Sequence, residues 1–146
     1  MRLINFSVEK PFRTITLIGL NREWELHNFA SFRGLSFFPN DDLLELRWTV
    51  PNVKNPWGCL HNHSHGCILR FRKLILIRVN SNDHLAQAED EICLSGLSKV
   101  IPGTINARFK EEWRDDEPFN LLFEFRSGRT IEISSESAEL EAIEIG

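Results

Sequence analysis

A chain of 146 residues, 42% of them hydrophobic, makes one ordinary domain, able to bury about 68–70% of its unfolded surface without disulfides or a structural metal. Its net charge of −4 argues against nucleic acid as a partner, because phosphate recognition needs a clustered basic surface. The chain has no run of about 20 apolar residues that would span a membrane.

The charge is unevenly distributed. Residues 1–80 carry eleven Lys and Arg against six Asp and Glu, +5, while residues 81–146 carry six against fifteen, −9. Three Cys are an odd number and imply no disulfide framework. The opening MRLINFSVEKPFR lacks the apolar core and cleavage site of a signal peptide. A cytoplasmic, reducing environment is the expectation.

In chain order, Leu3–Val8 reads as an opening strand interrupted by Pro11, and Thr14–Leu20 as the next, with Gly19 and Asn21 turning the chain. Glu23–Asn28 sets Trp24 and Leu26 opposite Glu23, Glu25 and His27, an amphipathic strand. Phe29–Phe38 mixes aromatic residues with Gly34 and predicts a bulged strand or a strand pair. Pro39 to Asp42 is a turn. Leu43–Val50 then alternates cleanly, with Leu44, Leu46, Trp48 and Val50 facing in. Residues 51–66 form a long connection rich in Pro, Gly and Asn, a length more often functional than ordinary.

The longest apolar run, Cys67–Asn80, is the central strand of this scheme. Leu69, Phe71, Ile75, Ile77 and Val79 share one parity, and Leu74 and Leu76 add cover on the other, as for a strand whose middle is buried on both faces. Arg70, Arg72 and Arg78 place its ends near water. Beyond it, Ser81 to Asp83 would cap a short helix over Leu85–Asp90. Ile92–Val100 is a strand around Gly96 and ends at Pro102-Gly103. Ile105–Trp113 alternates, with Ile105, Ala107, Phe109 and Trp113 on one parity and Glu111 the one intruder, and predicts another strand. Phe119, Leu121, Phe123 and Phe125 share a parity, Ser127-Gly128 turns the chain, and Ile131 and Ile133 return it, a hairpin. Ser134–Glu139 is expected to make a helical turn before a last strand ending in Ile143 and Ile145. The whole predicts a single all-β domain over residues 1–146, an antiparallel β-sandwich or partly closed barrel with one or two short helices.

Among chemical constellations, CLHNHSHGC gathers His61, His63 and His65 with Cys59 and Cys67, all ligand types for zinc. Alternate strand residues stand about 6.6–6.8 Å apart, so neighbouring His could share an ion, but an outer pair about 13 Å apart could not. The plain alternative is a solvated loop. No GxSxG or GxxxxGK motif is present, and Cys93 in ICLSG reads as an inert core thiol. Paired carboxylates such as Asp41-Asp42 and Asp115-Asp116 fall in turns. No enzyme is indicated. Arg47, Arg70, Arg72 and Arg78 form a stripe suited to an acidic partner, although cross-strand pairing to Glu45, Glu124 or Glu132 explains them more simply. Phe-rich inner parities would also suit a barrel around an apolar ligand, or merely fill a core.

The order LHNFASFRGLSFF, a polar turn, LLELRW, a variable loop, LRFRKLILIRV and LLFEFRSGRTIEISSESAEL resembles small bacterial β-rich domains of unknown function, some of them similar to immunity proteins of polymorphic toxin systems. That resemblance implies a protein-binding, non-enzymatic module and supplies no catalytic residues. The competing expectation is a metal-binding protein, or a metal-dependent enzyme, built on His61, His63 and His65.

Overall fold

The structure, a computed structural model, describes residues 1–28, 30–50, 64–82, 85–103 and 108–144. Its strands are β1 (Arg2–Leu3), β2 (Phe6–Val8), β3 (Thr16–Gly19), β4 (Arg22–Glu25), β5 (Ser31–Phe38), β6 (Leu43–Thr49), β7 (Ser64–Asn80), β8 (Leu94–Val100), β9 (Asn120–Phe125) and β10 (Thr130–Glu144). Among the described residues one short α-helix, α1 (Ala88–Glu91), and a 3-10 turn at Pro39–Asp41 interrupt them. A seven-stranded sheet runs β5-β6-β7-β10-β9-β8, with β1 pairing in parallel to β10, and β2-β3-β4 form a second, antiparallel sheet. The domain is an all-β sandwich; its large sheet does not close into a barrel.

The large sheet folds over on itself because its two longest strands bend. Lys73 in β7 has φ +55°, and the β7–β10 ladder shifts register between Ser134 and Ser135. Before the bend, Gly66–Arg72 of β7 pair with β6; beyond it, among the described residues, the strand has only Thr130–Ser135 of β10 beside it, and that end of β10 pairs on its other side with β9. Strands that pass from one layer to another at a bulge in this way make the corners of orthogonal sandwiches. β5, β6 and the first half of β7 thus face β9. Phe32 meets Phe125 at 4.8 Å between ring centroids, Trp48 meets Phe123 at 5.9 Å, and Phe71 meets Phe123 edge-on at 6.3 Å. Each such fully buried ring contributes about 1.5–3 kcal/mol. The Phe-rich parities fill one another, as a core does, instead of lining a ligand chamber. Leu17, Trp24 and Leu26 bring the small sheet into the same core.

The alternation in Leu43–Val50 is realised, with Leu44, Leu46 and Trp48 all fully buried. Gly66 lies close against β6: an added Cβ would stand 2.0 Å from the Trp48 carbonyl oxygen. Gly34 takes φ +112° where β5 shifts register against β6, the bulge that FASFRGLSFF suggested.

Four expectations change. Ser134–Glu139 is not a helical turn but part of β10, where pairing to β7 overrides the local bias of Ser, Glu and Ala. Residues 108–113 are not strand; this segment is held by side chains instead, with Phe109 edge-on to Phe12 at 4.9 Å and Trp113 Nε1 donating to the Lys110 carbonyl at 3.0 Å. The helix is only Ala88–Glu91, closed by a reciprocal capping box of Gln87 and Asp90. The middle of β7 is not buried on both faces: Ile75 is 74% exposed and Leu76 36%, because β6 ends its pairing at Arg72.

Candidate binding surface

β6, β7 and β10 bring the predicted arginines to the outer face of the sheet. Arg70 sits between two carboxylates, with Nε 3.3 Å from Glu45 on one neighbouring strand and Nη1 paired with Glu141 on the other. Arg78 lies 3.6 Å from Glu132. Arg47 and Arg72 are exposed, and among the described residues neither enters an ion pair. The expected pairings to Glu45 and Glu132 are therefore formed, whereas Glu124 stands 3.9 Å from Arg13 instead. The stripe divides into two internally neutralised guanidiniums and two open ones.

Glu132 is 3% exposed and anchors the segment that crosses the outer face of β8, β9 and β10. Arg108 Nη1 donates to it at 2.7 Å and Nη2 to its second oxygen, while Asn120 Nδ2 donates at 2.8 Å. Burial by itself raises this carboxyl's pKa, but hydrogen bonds from Arg108 and Asn120 and the charges of Arg108 and Arg78 outweigh it, and the net direction is down.

The opposite flank is less covered. β5 is an edge strand: Phe32 N–H reaches the Ile92 carbonyl at 2.9 Å, but beyond it no described strand pairs with the outer side of β5. Across this edge lie the ends of the other layer. Phe32, Leu35, Val79, Ile92 and Ile131 wall an apolar groove of about 360 Å³, with Arg33, Glu91 and Arg129 at its rim. Glu91 is held there by Arg129 Nε at 3.0 Å, by Ser127 Oγ at 3.2 Å and by Asn82. The Arg129 hydrogen bond is the main reason its carboxyl lies below the usual range. At the bend, Lys73 N–H donates to the Asp42 carbonyl at 3.0 Å and so joins the tip of the β5–β6 hairpin to β7. Phe37 is 52% exposed there, and Phe38, Ile75 and Leu76 lie on the same two strands.

A second concave region lies beneath residues 111–119, where cavities of about 500 and 600 Å³ share Lys99 and Trp113. Lys99 Nζ stands 4.5 Å from the Phe119 ring centroid. Desolvation pulls its pKa down against the opposing charge of Asp115. Lys110 similarly covers Trp113 at 4.6 Å, so internal ammonium groups already occupy the aromatic faces of this region.

Of the proposed metal ligands, His61, His63 and Cys59 lie outside the described residues. His65 is exposed near the start of β7. Cys67 is fully buried, and burial pushes its thiol up to about 12 against a weaker opposing effect of Arg22, so it is a poor ligand. Among the described residues no group of three or more His, Cys, Asp or Glu is placed to hold an ion. Sequence reasoning missed a Cys–His contact: Cys93, expected to be an inert core thiol, is only half-buried, its Sγ 3.5 Å from His27 Nδ1. That nitrogen lies 2.7 Å from the Leu94 carbonyl oxygen, so it carries the proton it donates there and is not free to deprotonate the thiol. The groove was also missed, because its walls come from three strands distant in sequence, β5, β7 and β10, and the turn before β8. Among the described residues no helix is long and apolar enough to cross a membrane. No family model, curated protein or solved structure matches this chain.

Proposed function

We propose that this protein is a non-enzymatic protein-binding module of the cytoplasm, and that its narrower role is that of an immunity-type inhibitor masking a protein partner. One observation carries the reading. Among the described residues, half of the twelve exposed large apolar side chains, Leu35, Phe37, Phe38, Ile75, Leu76 and Val79, belong to just two strands, β5 and β7, and Leu35 of one and Val79 of the other line the same groove. Scattered apolar residues on a surface need no explanation, but a gathered patch marks an interaction site. The open guanidiniums of Arg47 and Arg72 nearby favour a protein partner with acidic character. The inhibitor role rests on the resemblance described above.

The test is recovery of a partner from the cells that make the protein, followed by gel filtration of the purified pair. The wild type is expected to form a stoichiometric complex, Phe37→Glu with Ile75→Glu to lose it, and Glu112→Ala on the far loop to keep it. Equal retention by all three proteins, or no complex at all, contradicts the reading. A partner that is a toxin neutralised by the complex supports the narrower role.

A further inference from the structure

Deepening that reading and resting on it, we infer that the outer edge of β5 receives an extended acidic segment of the partner, which adds to the sheet as a further strand. Its side chains would alternate between acidic and apolar. The edge offers backbone donors and acceptors beyond Phe32 that no described strand takes up, the requirement for strand addition.

The ladder register says what each face of the added strand would meet. On the inner face Leu35 lies opposite Leu46 and Phe37 opposite Leu44, so inward-pointing guest side chains enter the apolar groove beside Leu35, Val79 and Ile131. On the outer face Gly34 lies opposite Arg47. An added Cβ at Gly34 would touch nothing within 4 Å, so the space over that position is open. Neighbouring strands are about 4.8 Å apart, placing a guest strand about 10 Å from β6, across a residue with no side chain. Arg47 can reach across that gap, and exposed Arg33 stands beside it.

The molecule already uses this arrangement once. Arg70 on β7 is flanked by Glu45 from β6 and Glu141 from β10, and β10 around it alternates acidic and apolar residues, Glu139, Leu140 and Glu141. β10 thus completes the outer face of β7 as the guest strand would complete that of β5. The arginine on the neighbouring strand lacks such a carboxylate among the described residues.

The experiment titrates isotope-labelled full-length protein with a short peptide of alternating Glu and Val and follows its amide resonances. Shifts are expected in Arg33–Phe38 and at Val79. The matching peptide of Lys and Val should bind at least about tenfold more weakly, since like charges then face Arg33 and Arg47. Methylating the peptide nitrogens that face β5 should abolish binding, and Arg33→Glu with Arg47→Glu should reverse the charge preference. Both positions are exposed, and a thermal melt checks that the fold is kept. No binding, indifference to charge, survival of binding after methylation, or shifts confined to other strands would each overturn the assignment. So would a concentration-dependent dimer lost in Leu35→Lys, which gives the edge to a second copy. A recovered partner that binds without competition from the Glu–Val peptide leaves the binding-module reading standing and removes this one; no partner at all counts against the broader reading separately.

Discussion

Cys67–Phe71 and Leu74–Val79 are comparably apolar stretches of one strand, yet the first is buried and the second stands largely in water. The difference does not come from composition. Through Arg72 the strand has β6 on one side and β10 on the other, and its inner face meets the Phe123 ring. After the bend at Lys73 it keeps, among the described strands, only β10. Burial in a sheet is thus decided by how many neighbours continue past a residue, which an isolated strand sequence does not record.

The largest way to test this contrast is to delete a side chain from each half. Phe71→Ala is expected to cost about 3–5 kcal/mol, since the cavity opens under close-packed rings, whereas Ile75→Ala should stay within about 0.5 kcal/mol. Denaturant unfolding measures both, and comparable losses would erase the distinction.

Next in size is the anchored face on the far side. Glu132→Ala leaves Arg108 without its carboxylate in a nearly buried setting and should cost about 3 kcal/mol. The same group sets a pH dependence. Its folded pKa is below the ordinary value of 4.5, so its stabilisation is complete above that value and disappears as pH falls through the folded one. Glu91 acts in the same direction. Unfolding curves from neutral pH down to about 3 should show stability falling below about 4.5, less steeply in Glu132→Gln. A stability independent of pH in that window contradicts the anchor.

A smaller effect is expected at the start of β7. Gly66→Ala would push a methyl into the Trp48 carbonyl and force β6 and β7 apart, at about 1–3 kcal/mol. An unchanged midpoint of unfolding would mean the two strands lie farther apart there.

Much of the fold was legible from local pattern. β6 announced itself because its one buried face alternates with a polar one, and the hairpin of β9 and β10 because Phe119, Phe123, Ile131 and Ile133 bracket a Ser-Gly turn. Three other features depend on partners far away in sequence. The alternation through Trp113 gave no strand over 108–113, since that segment crosses the outer face tied by Arg108 and Phe109 without joining a ladder. Ser134–Glu139 is extended only because β7 lies beside it. The charge asymmetry along the chain is mixed in space, because acidic β10 lies beside basic β7 and pairs Glu141 with Arg70 and Glu132 with Arg78. Of the site, the arginines were visible but not their division: Arg70 and Arg78 are neutralised by strands whose neighbours only the register reveals.

Residue-resolved hydrogen exchange along β7 of the isolated protein tests the central contrast most directly. Amides from Cys67 to Phe71 are expected to exchange only on global unfolding, while those between Leu74 and Asn80 that point away from β10 exchange through local opening, orders of magnitude sooner. Uniform protection from Cys67 to Asn80 would mean that the outer edge is already covered, and would contradict that contrast.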